Sequence, residues 1–237
     1  ECMKELLVSE GYKSAESEDD ADIFLINTCT VTSESDKKLR KTINRIRKSH
    51  SKSIIALTGC FVQAFPDKAK ELNVEILIGN GNKTEIVIAL REYSRCKAYQ
   101  LYINDNSVNS EFEPMCLCGF QRKTRAFLKI QDGCNQFCTY CIIPKARGRI
   151  CSKPVDEIKK EVEILAGNGY KEVVIVGINL SFYGKEFGLR LIDAIETVCS
   201  VDGIERVRLG SLEPEVISEE DIERMSKLKK LCPQFHL

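Results

Sequence analysis

Aliphatic runs short enough to be strands alternate with amphipathic stretches long enough to be helices through most of this chain, and few folds accept that pattern. Asp22–Ile26, Ser53–Leu57 and Val74–Ile78 read as buried strands. Met3–Gly11, Ser33–His50, Pro66–Leu72 and Lys83–Tyr93 read as helices, the second with Leu39, Ile43 and Ile46 on one stripe and Ser33 as its N-cap. The alternation resumes near Thr124. Strands are expected at Phe127–Gln131, Glu172–Ile178 and Arg206–Gly210, and helices at Pro154–Gly167, Leu189–Cys199 and Ser218–Lys230. Gln234–Leu237 is expected to open a further strand. Apolar strands separated by helices belong to parallel sheets. The expected fold class is therefore α/β: a parallel α/β domain over residues 1–95, a connection over 96–123 with one strand at Lys97–Ile103, and a second β/α repeat over 124–237. Three or four β/α units do not close a barrel, so the second domain is expected to be a partial barrel, truncated at its end. The first domain opens on a helix with no strand to feed it, so it too is expected to be truncated at its start.

Cysteines give this scaffold its chemistry. There are 12 of them, and Cys134, Cys138 and Cys141 stand in the spacing C-x3-C-x2-C directly after the Phe127–Gln131 strand. Three thiolates on one loop can hold three corners of an iron–sulfur cube and leave the fourth iron open. The same spacing suits structural zinc, with Cys151 or Cys232 as a fourth ligand, and the residues alone leave both metals open. Cysteine at this density in a cytoplasmic chain points to metal or catalysis rather than to disulfides. A cytoplasmic location with no membrane partner is expected, since no apolar run approaches the ~18 residues of a spanning helix. Lys+Arg and Asp+Glu both number 35, which excludes a chain whose net charge alone would draw it to nucleic acid.

Two further cysteines occupy equivalent places. Cys29 follows the strand ending at Ile26, and Cys60 follows the strand ending at Leu57. Ligands of open α/β sheets bind outside the carboxyl ends of the strands, so both thiols are expected in one crevice. By the same rule Asn179 and Glu213, at the ends of the second and third strands of the second repeat, are candidate cofactor-binding residues. Lys37, Lys38, Arg40, Lys41, Arg45, Arg47 and Lys48 crowd one helix, and Arg147 and Arg149 follow the cysteine loop. Arg147, Arg149, Lys41 and Arg45 are candidate phosphate contacts, weighed against an ordinary solvated face. Cys2, Cys96, Cys116, Cys118 and Cys199 receive no role.

Certain words in the sequence are more specific. Asn27-Thr28-Cys29-Thr30-Val31-Thr32, Thr58-Gly59-Cys60, Thr124 to Cys134, and Ile142-Ile143-Pro144 with Arg147-Gly148-Arg149 occur in that order. Together with the C-x3-C-x2-C loop they resemble the methylthiotransferases of the radical S-adenosylmethionine (SAM) superfamily. The resemblance implies an N-terminal methylthiotransferase domain followed by a radical SAM partial barrel. It implies two 4Fe–4S clusters, one on Cys134, Cys138 and Cys141 and one on Cys29, Cys60 and a third cysteine that this chain lacks, with SAM as cofactor. Arg147 and Arg149 would then neutralise cluster or SAM charge or touch RNA. The implied partners are a tRNA substrate and a one-electron reductant protein, with the sulfur donor unassigned. The implied reaction is methylthiolation at C2 of N6-threonylcarbamoyladenosine, 3′ of the anticodon. The same chemistry on N6-isopentenyladenosine or on a ribosomal-protein aspartate is the alternative, and a non-catalytic zinc-stabilised RNA-binding module is the alternative of another class.

Overall fold

A computed structural model describes residues 2–30, 32–104, 112–113 and 124–237. Cys116, Cys118, Val31 and much of the expected connection lie outside the described residues. The chain forms two compact units, Glu1–Val108 with Gln136–Gly148, and Asn109–Asn135 with Arg149–Leu237.

In the first unit, helix α1 (Cys2–Ser9) precedes strand β1 (Ile23–Thr28), helix α2 (Ser33–Ser49) and strand β2 (Ile54–Gly59). Two short helices follow, α3 (Cys60–Ala64) and α4 (Pro66–Lys70), then strand β3 (Ile76–Ile78). A 3-10 stretch at Asn80–Glu85, helix α5 (Ile86–Cys96) and strand β4 (Gln100–Tyr102) complete the run. The strands form one parallel sheet in the order β1-β2-β3-β4. Strand periodicity divides its side chains between two layers. Phe24, Ile26, Ile55, Leu57 and Leu77 pack with Leu39, Ile43 and Ile46 of α2. Ile23, Leu25, Ala56, Ile76 and Ile78 pack with α5 and with Leu6 and Leu7 of α1. The strand expected within Lys97–Ile103 is the β4 edge of this sheet.

Local chemistry corrects several expected boundaries. Thr32, not Ser33, caps α2, its hydroxyl accepting from Ser35 N at 3.3 Å. Asp36 accepts from the Thr30 hydroxyl at 2.9 Å. The helix expected from Lys83 starts as 3-10 turns, because Gly79-Asn80-Gly81-Asn82 supplies little helix propensity. Strand β2 runs to Gly59, two residues past the expected end at Leu57, and Cys60 opens α3 directly after it.

The second unit holds β5 (Ala126–Lys129), β6 (Gln131–Asp132), β7 (Cys151–Ser152), α7 (Val155–Gly167), β8 (Glu172–Val176), α8 (Leu191–Ser200), β9 (Arg206–Leu209) and α9 (Glu219–Ser226). The intervening helix α6 (Ile143–Arg147) belongs to the first unit. Strands β5, β8 and β9 form a parallel sheet in the order β5-β8-β9, and β6 pairs antiparallel with β7. Ala126, Leu128, Val173, Ile175, Val207 and Leu209 are buried against α7 and α8. The alternate positions Phe127 and Lys129 of β5 stay partly exposed. Parallel bridges Val207↔Leu231 and Ser211↔His236 bring the last residues alongside β9, short of the expected full strand. Glu172 ties β8 to β9 by accepting from Arg206 Nε at 2.9 Å and Arg208 Nε at 2.8 Å. Arg206 first, then Arg208, holds its carboxyl below the usual carboxylate range against the opposing effect of burial.

A buried ion pair fastens the start of α7. Lys153 and Glu161 are paired with both side chains 5% exposed, and the Lys153 carbonyl accepts from Tyr183 Oη at 2.7 Å. Removing one member of such a pair is costlier than replacing both with apolar groups. Lys153→Met is expected to destabilise this unit by about 3 kcal/mol, and Lys153→Met/Glu161→Leu by much less. Urea unfolding of both variants checks this, and equal losses would contradict it.

Candidate functional site

In the first unit, polar chemistry collects at the carboxyl ends of adjacent strands. Thr28 and Gly59 form the last register pair of β1 and β2, and Cys29 and Cys60 are the next residues on the two strands. Gly59 has φ +104, and a Cβ there would stand 2.7 Å from Asn27 Oδ1 and 2.9 Å from Thr28 N. The Thr28 hydroxyl donates to Thr58 O at 2.6 Å and accepts from Phe61 N at 3.2 Å, which locks the start of α3 to the end of β1. Cys60 is consequently buried, whereas Cys29 is exposed.

Two groups donate to the Cys60 sulfur. Arg147 Nε lies 3.2 Å and Asn80 Nδ2 3.6 Å from Cys60 Sγ. Arg147 is placed by α6, which has Pro144 in its first turn and ends at Gly148, φ +79. Ala146 of that helix packs with Cys60 and Ala64, and its carbonyl accepts from Asn80 Nδ2 at 2.5 Å. Asn80 follows β3 by two residues, and its backbone N donates to Gln63 Oε1 at 2.9 Å.

The cysteine loop is short and irregular. Gly133 and Phe137 both have positive φ, and Cys141 N donates to Cys138 O at 2.9 Å. Cys138 is exposed and Cys134 and Cys141 are partly exposed. Among the described residues no three Cys, His, Asp or Glu side chains converge to hold a metal as they stand. Three accessible thiols within eight residues of chain still provide the soft donor set that iron–sulfur clusters take.

In the second unit the candidates Asn179 and Glu213 are brought together: Asn179 Nδ2 donates to Glu213 Oε2 at 2.9 Å, and Glu213 N to Ser181 Oγ at 2.8 Å. Fully buried Gln131 joins this group to the base of the cysteine loop. Its Oε1 accepts from Asn179 N at 2.8 Å, while its Nε2 donates to Asp132 O at 2.7 Å and Gly133 O at 2.8 Å. Cys151 pairs with Asp132 across β6 and β7. Arg149 and Lys41 are exposed, Arg45 forms a two-point ion pair with Glu18, and Arg47 donates from Nη2 to both Glu75 carboxylate oxygens and from Nη1 to Ser53 O.

Residues 128–237 match the Radical SAM superfamily, and residues 1–79 match a family described as Uncharacterized protein family UPF0004. The chain is 34% identical over 238 residues to threonylcarbamoyladenosine tRNA methylthiotransferase MtaB of Aquifex aeolicus, and 35% to the MtaB protein of Thermotoga maritima. Along its whole length the chain is therefore similar to tRNA methylthiotransferases, and its second half to radical SAM proteins. A further relative, tRNA-2-methylthio-N(6)-dimethylallyladenosine synthase of Clostridium botulinum, is 35% identical over 246 residues. These alignments cover 100% of this chain but 58%, 54% and 54% of the three relatives, so the chain spans a little over half the length of the curated relatives it matches. Among solved structures, the radical S-adenosylmethionine methyltransferase TsrM from Kitasatospora setae superimposes with a TM-score of 0.54 at 12% identity, over 96% of this chain and 63% of that one. That likeness is one of fold.

Two residues at these strand ends went unseen in the sequence alone, Gln131 and Asn80. Each is a single amide with no spacing to announce it. Gln131 had one signal available, its place between a strand and the cysteine loop; Asn80 had only its place just past β3.

Proposed function

We propose that this chain is the cluster-binding and SAM-binding part of a tRNA methylthiotransferase. The protein converts N6-threonylcarbamoyladenosine, 3′ of the anticodon, to its 2-methylthio derivative. The observation that carries this is a C-x3-C-x2-C loop at a strand end, in a chain matched from end to end by relatives named for that activity. Cys134, Cys138 and Cys141 would hold one 4Fe–4S cluster. Cys29 and Cys60 would supply two ligands of the other. When bound, the clusters and SAM supply the one-electron chemistry, sulfur and methyl group that polar side chains cannot bring to an unactivated aromatic C–H bond.

The chain's own residues do the positioning. Gln131 fixes the carbonyl just before Cys134 and so sets where the loop begins. The Glu213 carboxylate, oriented by Asn179, would accept from the ammonium group of SAM. Arg149 and Lys41 offer exposed charge to RNA phosphates, and Arg45 can exchange its exposed Glu18 partner for one. A one-electron reductant protein completes the set of partners, and the sulfur donor stays unassigned.

The Clostridium botulinum relative is as similar as the MtaB proteins, which gives the dimethylallyl-substituted (isopentenyl) adenosine a standing as second substrate. Mass spectrometry of tRNA nucleosides from cells with and without the intact gene decides. The deletion is expected to lose 2-methylthio-threonylcarbamoyladenosine and accumulate its unthiolated precursor. Loss of the dimethylallyl derivative instead would move the activity to the second substrate, and no change in either would overturn the proposal.

A further inference from the structure

Cys60 is placed unlike the other candidate ligands. Cys29 and Cys138 are exposed and Cys134 and Cys141 partly so, whereas Cys60 is 4% exposed and receives two N–H groups. One comes from a guanidinium and the other from an amide that is itself 5% exposed. Asn80 Oδ1 is buried with no hydrogen-bond partner, while Nδ2 serves both Cys60 Sγ and Ala146 O. Flipping the amide would place an acceptor against the Ala146 carbonyl and against the sulfur, so the orientation is fixed by its neighbours.

We propose that Arg147 and Asn80 are positioning residues for the Cys60 sulfur. They stabilise it as an electron-rich cluster ligand and thereby raise the reduction potential of the cluster that Cys60 helps to hold. This rests on the reading of Cys60 as a cluster ligand. The physical basis is general. Reduction by one electron makes a cluster one unit more negative, and part of that charge falls on the ligand sulfurs. Hydrogen bonds to the sulfurs and a nearby positive charge favour the reduced form. Arg147 contributes both, and it does so from a helix that starts two residues after Cys141, the last cysteine of the other proposed cluster loop. One short stretch of chain therefore carries ligands for one cluster and a donor to a ligand of the other.

The test uses the full-length protein with Cys134, Cys138 and Cys141 all changed to Ala, so that only the cluster at Cys60 reports. After anaerobic reconstitution it is titrated with dithionite and followed by electron paramagnetic resonance. In this background Arg147→Met is expected to lower the ratio of reduced to oxidised cluster at least tenfold at a fixed potential, about 59 mV for a one-electron couple. Arg147→Lys, which keeps the charge and loses the planar Nε–H donor, is expected to fall between. A purely structural role would lower thermal stability and leave the potential where it was. Unchanged potentials in both variants, with iron bound, would overturn the positioning role alone. If the triple-alanine parent takes up no iron, the cluster reading of Cys60 falls and this inference with it. Should Arg147→Met fail to fold, the Arg147→Lys titration decides by the same criterion.

Discussion

Cys138→Ala is expected to abolish reductive cleavage of SAM to 5′-deoxyadenosine, to the background of protein-free reagents, while the fold survives. The two halves of this expectation have separate grounds. Activity depends on three thiolates reaching three irons, and removing one leaves a second iron without its protein ligand. Stability does not depend on this side chain, because Cys138 is exposed and its contribution to the loop is a backbone carbonyl that accepts from Cys141 N. Exposed substitutions of this kind usually change stability by about 0.5 kcal/mol or less. Iron analysis of the reconstituted full-length protein should show the loss of one cluster, and thermal melting of the cluster-free variant should superimpose on cluster-free wild type. Cys96→Ala, at an exposed thiol on the last residue of α5, serves as the control and should retain cleavage. Cleavage at the wild-type rate in the Cys138 variant would remove the loop from the mechanism.

The sequence carried the architecture because parallel strands buried by helices leave a compositional trace. Ile55, Leu57 and Leu77 against Leu39, Ile43 and Ile46 is what a two-layer packing of aliphatic runs requires, and those residues are visible in the chain. Spacing likewise exposed the cysteine triplet and the equivalence of Cys29 and Cys60. What it could not show was the difference between that last pair. Cys60 is buried and hydrogen-bonded only because Gly59 lets the chain turn straight into α3, and because α6 arrives from more than 80 residues away with Arg147. Contacts of that range have no local signature. The amides of Gln131 and Asn80 were missed for the same reason: each joins segments distant in sequence, and neither residue type is unusual where it stands. The helix caps were closer to hand. Ser218 with Asp221 forms a capping box that the sequence displays, while Thr32 replaced Ser33 by one position.

Gly59→Ala is expected to destabilise the first unit by about 4 kcal/mol and to release Cys60 from its partners. Two costs add here. The backbone, at φ 104 and ψ −163, lies in a region open essentially to glycine alone, and a side chain there costs roughly 1–3 kcal/mol. The new methyl would also press on backbone: Thr28 N at 2.9 Å and, closer still, the Thr28 carbonyl oxygen. Strand β1 cannot yield, since Thr28 is paired in register with Gly59 and bonded through its hydroxyl to Thr58 and Phe61. Overpacking of that kind adds roughly 1–3 kcal/mol. Relief requires parting the ends of β1 and β2, which moves the first turn of α3 and draws Cys60 Sγ away from Arg147 and Asn80. A matched substitution isolates the collision. Gly11 also has a positive φ, +89, but an added Cβ there meets nothing within 4 Å. Gly11→Ala should therefore show the conformational cost alone, about 1 kcal/mol. Urea midpoints of the two variants, measured beside iron uptake by the Cys134, Cys138 and Cys141 triple-alanine background, should diverge sharply, with uptake lost for Gly59→Ala only. Equal midpoints and equal uptake would mean that the junction of β2 and α3 does not hold Cys60 in place.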